Sequence, residues 1–294
     1  MLYLPGTRAE MTTTRRDFLA TTALAVGAAA LAGPGELRAL APRTERQPPT
    51  MDAAVRELLM HALDEARRAG ASWADVRIQR VQRQSIATRE RQVLGVNDDD
   101  TIGCGVRVLV DGCWGFSATP RLTKDGIARA TRDAVATAKA GRAVRDRAVT
   151  LAPAPVVADG RWSSGFRVDP FTVPVEEKVA LALAANAAAL AVPTVRFAGT
   201  TMQFVKEERN YANTDGTVTV QEVVRSWTPM TITAVSADRT DFAVRDAVVQ
   251  PTGRGWEAVL ETKLAENARL WGEQAAEKLT AKPVEPGRYD LLLH

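Results

Sequence analysis

With 294 residues, 46% of them hydrophobic and 25% charged, the sequence is long enough for one large or two medium domains and too apolar along its body for a disordered chain. The formal charge is +3, but residues 1–50 hold six Arg against four acids, Glu10, Asp17, Glu36 and Glu45, so the rest of the chain carries only +1. No Lys/Arg cluster is dense enough to make a phosphate-binding field, and nucleic acid is therefore not an expected partner.

Thr12 to Ala41 has the layout of a twin-arginine export signal. Arg15 and Arg16 precede Asp17, Phe18 and Leu19, an Ala-rich apolar run extends to Ala32, and Ala39-Leu40-Ala41 offers a small-residue cleavage site. Pro42 argues against a cut directly after Ala41, which leaves the cleavage point open. The competing reading is an N-terminal amphipathic or transmembrane helix, but Leu19 to Ala32 is shorter than the ~20 residues a span needs. The expectation is an exported, periplasmic or extracytoplasmic protein with no stable membrane span, and residues 1–50 are set apart as signal and linker.

Residues 51–150 read as an α+β domain. Val55, Leu58, Leu59, Ala62, Leu63 and Ala66 fall at helical spacing over Ala53 to Ala69, and Gly70 closes the helix. His61 lies off that stripe, on the polar side, and with no Cys or second His at helical spacing it is not expected to bind metal. Trp73 to Val96 alternates as strands of a sheet with one wet face; Arg89-Glu90-Arg91 reads as a turn, and Asn97-Asp98-Asp99-Asp100 as another. The acidic run lacks the spaced oxygens and later Glu of a calcium loop.

Ile102 to Val110, Asp111-Gly112 and Cys113 to Ser117 then form a hairpin, because the Asp-Gly pair supplies the two positive-φ positions of a type I′ turn. In that register Val106, Val108 and Val110 share one face and Arg107, Leu109, Trp114 and Phe116 the other. A sheet so apolar on both sides must be covered twice, or covered once and used for binding on the other face. Arg107, Trp114 and Phe116 are the candidate substrate-cleft residues on that second face. Cys104 and Cys113 share the first face but stand roughly 20 Å apart along the ribbon at ~3.3 Å per residue. Free buried thiols are expected, with a reactive or metal-binding pair as the alternative.

Leu122 to Ala140 is a helix capped by Thr123. Gly141 to Gly165 reads as a surface connector within a second α+β segment, residues 151–282. This segment comprises a very apolar helix over Val175 to Val192, a β meander whose first hairpin turns at Asn213-Thr214-Asp215-Gly216, and one long helix from Gly255 to Ala281 ended by Pro283. Residues 283–294 contain an apolar strand, Tyr289 to Leu293, and the chain stops one residue later.

The strand GCGVRVLVDGCWGF after a polar meander and before an Ala-rich helix, followed by helix, meander, helix and the strand at Tyr289 to Leu293, resembles the N-terminal portion of the TldD/PmbA family of metallopeptidase-like proteins. The resemblance runs from about Asp52 to His294. It implies antiparallel β meanders packed in two layers against long helices, a domain that helps hold an extended peptide or unfolded-protein substrate, and a homologous TldD/PmbA-type subunit as partner. It also implies zinc or a similar divalent metal, held in the whole family member by a His-Glu-x-x-x-His motif beyond the strand resembling Tyr289 to Leu293. The sequence contains only His61 and His294, so no catalytic or metal residue is assigned, and the chain alone is expected to be an inactive fragment that binds no metal. The alternative is a non-catalytic PmbA-like partner or a standalone exported binding module. A role in modulating DNA gyrase, suggested by older family names, is opposed by the near-neutral body and the export signal.

Overall fold

The computed structural model describes residues 48–292. The signal residues Arg15, Arg16, Phe18 and Leu19, together with His294, lie outside the described residues. Elements are α1 (Ala53–Arg68), β1 (Trp73–Arg89), β2 (Gln92–Val110), β3 (Cys113–Thr119), α2 (Lys124–Gly141), β4 (Gly160–Ser163), α3 (Val175–Leu190), β5 (Val195–Asn213), β6 (Val218–Trp227), β7 (Met230–Val235), β8 (Phe242–Asp246), α4 (Trp256–Glu261) and α5 (Leu264–Lys278).

All eight strands belong to one sheet, ordered β3-β2-β1-β5-β6-β4, with β7 pairing β5 and then β8. The fold is α+β, with an antiparallel sheet as its body; β4, running parallel to β6, is an exception. The long strand β1 is the seam of the molecule: it pairs with β2 over its whole length and with β5 from Asp75 to Arg89.

Helices cover one face of this sheet in two separate places. Ala74, Val76 and Ile78 of β1, Cys104, Val106 and Val108 of β2 and Ala212 of β5 form a core beneath α1 and α2. Ile86 of β1, Met202 and Phe204 of β5 and Ile232 of β7 form a second core beneath α3 and α5. These positions fall on the same side of the pleat, since even-numbered residues of β1 pair with even-numbered residues of β2 and β5 along the register. Between the two helical layers the same face turns polar. There Arg80 clasps Asp100 at 2.9 and 2.6 Å.

The expected type I′ turn is present, with Asp111 at φ 49° and Gly112 at φ 73°, and the register pairs Val110 with Cys113 and Leu109 with Trp114. Thr123 caps α2 through its hydroxyl, and α1 ends at Gly70 in the left-handed region.

Four local expectations are corrected. Asn97 to Asp100 is not a turn but the middle of β2. Its acids are held in extended backbone by β1 side chains opposite, Arg80 on Asp100, Arg83 on Asp99 and Gln84 on Asp98. The single helix expected over Gly255 to Ala281 is two, broken at Lys263, which takes a left-handed φ of 45°; the Thr262 hydroxyl donates to Val259 O and Asn267 donates to Thr262 O across the break. The connector after Gly141 contains β4, added to the edge of β6. Tyr289 to Leu292 forms no strand, because no strand among the described residues lies alongside it, and Leu291 and Leu292 are exposed.

Candidate functional site

The side chains expected to line a cleft come together on the sheet face that carries no helices. Gly115 explains why this face stays open at β3. A Cβ there would stand 1.9 Å from the Ala134 carbonyl oxygen of α2, so α2 presses directly on the strand backbone from the covered side. Its neighbours Trp114 and Phe116 are thereby turned to the open side.

Arg107 is held from three directions. It is ion-paired to Asp75 across the β1–β2 ladder, with Nε 3.3 Å from Oδ1. Its guanidinium also lies 5.6 Å from the Trp73 ring centre and 5.0 Å from that of Trp114. The two indoles meet edge to face at 5.7 Å, and Trp73 Nε1 donates to Asp215 of the β5–β6 loop at 2.6 Å. Asp75 is nearly buried and also accepts from the Tyr211 hydroxyl at 3.5 Å. Burial, and after it the Asp75 charge, push the Tyr211 hydroxyl above its ordinary range.

Beside this ion pair opens a groove of about 710 Å³. Its floor is Gly103 and Gly105 of β2, which share a face with Arg107 and leave the pleat bare. Phe116 and Thr119 stand on the β3 side, Arg77 and Gln79 on the β1 side. The Phe116 ring lies against Gly105, where an added Cβ would meet it at 3.2 Å. Phe116 remains 61% exposed even so, which leaves an aromatic surface free for a ligand. Beyond the groove, β3 is the outer strand of the sheet. A two-residue hairpin closes with a hydrogen-bonded pair at Val110 and Cys113, so by alternation the main-chain groups of Trp114, Phe116 and Ala118 point to the free edge.

Arg107, Trp114 and Phe116 are thus neighbours on one open face, as their register requires. Sequence reasoning missed the floor and the far wall. The signal was present in the spacing, because glycines at 103 and 105 alternate onto the same face as Arg107.

The residues available for metal binding do not fit the family's implied ion. Among the described residues no group of three or more His, Cys, Asp or Glu is placed to hold one. The Nε2 of His61 is buried on α1 without a hydrogen-bond partner. Cys104 and Cys113 are free and buried, and burial pushes the Cys104 thiol up to about 11.

Two family models match the chain: PmbA/TldA metallopeptidase domain 1 over residues 74–138, and the PmbA/TldA metallopeptidase central domain over residues 168–282. Together they span more than half of the sequence. The chain belongs to the PmbA/TldD family. The groove lies within the region matched by domain 1, and the β1–β5 seam joins that region to the central one. A metalloprotease of Methanothermobacter thermautotrophicus is 27% identical over 220 residues, covering 75% of this chain and 46% of its own length. Among solved structures, a Thermotoga maritima protein described as a modulator of DNA gyrase aligns with TM-score 0.63 at 13% identity, over 79% of this chain and 50% of its own. TldE from Thermococcus kodakarensis aligns with TM-score 0.54 at 14% identity, over 78% and 47%. These structural likenesses concern the fold. The chain spans about half the length of the relatives it matches.

Proposed function

We propose that this chain is the substrate-holding part of an exported metallopeptidase of the PmbA/TldD family, and that the groove over Gly103 and Gly105 takes an extended stretch of polypeptide. The observation that carries this reading is the groove itself, bare backbone walled by an exposed aromatic ring and lying beside the free edge of β3. Extended peptides bind sheets through main-chain hydrogen bonds and side-chain pockets; the free edge of β3 offers the first and the open face beside it the second. The match to two metallopeptidase domain models and the metalloprotease name of the archaeal relative support hydrolysis as the activity of the whole assembly. The metal in this reading is held outside the described residues, either by further sequence or by a homologous subunit paired with this one. Export through the Arg15-Arg16 segment belongs to the same proposal.

Labelled casein, an unfolded polypeptide, tests the groove by fluorescence anisotropy. Binding is expected, and Gly103→Leu should weaken it at least tenfold by filling the floor. The substitution has room, since a Cβ at Gly103 meets only the Thr119 carbonyl at an ordinary 3.5 Å. Phe116→Ala should weaken binding by a similar factor, whereas Phe197→Ala, on β5 outside the groove, should leave it unchanged. Equal binding by Gly103→Leu and the unsubstituted protein would remove the groove from the reading.

A further inference from the structure

The groove has a charge that its own walls do not neutralise. Arg77 is exposed on β1, opposite Gly105 on one side and Tyr211 on the other. Gly105 has no side chain to meet it, and the Tyr211 hydroxyl is turned to Asp75. Asp75, the carboxylate two residues along the same face, is already engaged by Arg107. Among the described residues the Arg77 guanidinium has no ion-pair or hydrogen-bond partner.

The excess extends past the groove. On β5, Arg209 pairs with Gln79 in the register, and Arg209 and Arg225 share the single carboxylate of Glu207. The Nε of Arg209 is buried without a hydrogen-bond partner. Guanidinium groups therefore outnumber carboxylates on this face. Burying unpaired cations under a neutral ligand costs free energy, and a carboxylate placed there recovers it through charge-assisted hydrogen bonds.

We infer that the groove selects extended polypeptides in which an acidic residue stands next to an apolar or aromatic one, the carboxylate on Arg77 and the apolar side chain on Phe116. The geometry sets this order. Arg77 and Phe116 lie on strands either side of β2, roughly 10 Å apart at ~4.8 Å per strand. A chain running along the glycine floor between them points successive side chains to opposite walls. Adjacent residues of the ligand therefore reach Phe116 and Arg77 respectively. This inference rests on the proposed peptide-holding role and adds a specificity residue to it.

Three rhodamine-labelled octapeptides separate the two. One carries Phe-Glu pairs and an amidated C-terminus, the second replaces each Glu by Gln, and the third is the Gln peptide with a free C-terminal carboxylate. Anisotropy with the full chain at low ionic strength should show the Glu peptide binding about tenfold tighter than the Gln peptide, a preference that shrinks with added salt. Arg77→Gln should erase the preference while leaving affinity for the Gln peptide in place, and Arg77→Lys should keep part of it. Equal binding of the Glu and Gln peptides, both lost in Gly103→Leu, would overturn the acidic preference and leave the groove standing. A gain only for the free-terminus peptide would overturn the assignment to side chains. Binding of no peptide, or binding indifferent to Gly103→Leu, would remove the groove itself.

Discussion

The two helical layers on the covered face solve the same packing problem with different chemistry. Beneath α1 and α2 the core is built from Leu, Val, Ile, Ala and Cys104, with Thr131 returning its hydroxyl to its own helix at Ile127 O. Beneath α3 and α5 buried polar groups join the apolar ones. Asn186 of α3 binds Thr88 Oγ1 of β1 and the Thr200 hydroxyl of β5, and Lys178 reaches Gln84 and the Phe204 ring. Buried Glu257 accepts from the main-chain N–H of Arg167, Val168 and Gly255 at 3.0, 2.9 and 3.2 Å. A core held by shape alone tolerates no intrusion, while one held by polar links tolerates no lost partner. The layer that backs the groove is of the first kind, which fixes the strand backbone opposite and lets the open face carry exposed aromatics without yielding.

Intrusion is the sharpest way to break the first layer. Gly115→Val should prevent α2 from seating, because its Cβ falls 1.9 Å from the Ala134 carbonyl and 2.8 Å from the Ala138 nitrogen, both backbone atoms that cannot rotate away. A loss above about 4 kcal/mol is expected, at the extreme of single substitutions, and chemical denaturation would measure it. A native-like midpoint would mean that α2 does not press on β3 as described.

Removing a partner tests the second layer. Glu257→Gln replaces one acceptor oxygen by a donor that faces backbone N–H groups, and should cost about 2–4 kcal/mol. Burial alone would raise this carboxyl; the main-chain donors outweigh it and hold it below the usual carboxylate range. With the folded value depressed, the stabilisation is present above the ordinary carboxylate range and lost as pH falls through the folded value. The unsubstituted protein should therefore lose stability on acidification more steeply than Glu257→Gln, and parallel acid titrations would contradict the assignment.

The smallest effect sharpens the comparison through pH at the other extreme. Cys104 in the apolar layer titrates at about 11 against an ordinary 9.0. The raised value favours the thiol form in the folded state, so its contribution is complete below pH 9 and is lost as pH rises toward 11, up to about 2–3 kcal/mol. Cys104→Ala should flatten that alkaline loss. An unchanged alkaline slope would mean that the thiol is not dehydrated where the structure puts it.

These two kinds of core also explain what was legible in the sequence. The hairpin at Asp111-Gly112, the cap at Thr123 and the common face of Arg107, Trp114 and Phe116 follow from rules that act within a few residues. What escaped depends on distant partners. Asp98 to Asp100 look like a turn until Arg80, Arg83 and Gln84 are seen across the ladder. The break at Lys263 carries neither Gly nor Pro, and its compensation lies in the hydroxyl of Thr262 and the amide of Asn267. In the groove, aromatic residues announced themselves and glycines did not, since an absent side chain acquires meaning only when its neighbours on both strands are known. The free charge of Arg77 depends on Asp75 being taken by Arg107 across the β1–β2 ladder, a pairing that spacing along one strand does not reveal.

The seam at β1 also sets a schedule for folding. Its residues pair with β5 partners more than a hundred positions later in the chain, so during synthesis one edge of a 17-residue strand waits unpaired until β5 has been made. At ~5–20 residues per second this interval is on the order of ten seconds. Throughout it β1 and β2 present a long open ribbon to any other nascent chain, and the polar, arginine-bearing stretch from Arg77 to Arg83 sits on the waiting edge. Charged side chains there discourage strand-to-strand association between unfinished copies, so the residues that line the groove in the finished protein also guard its unfinished form.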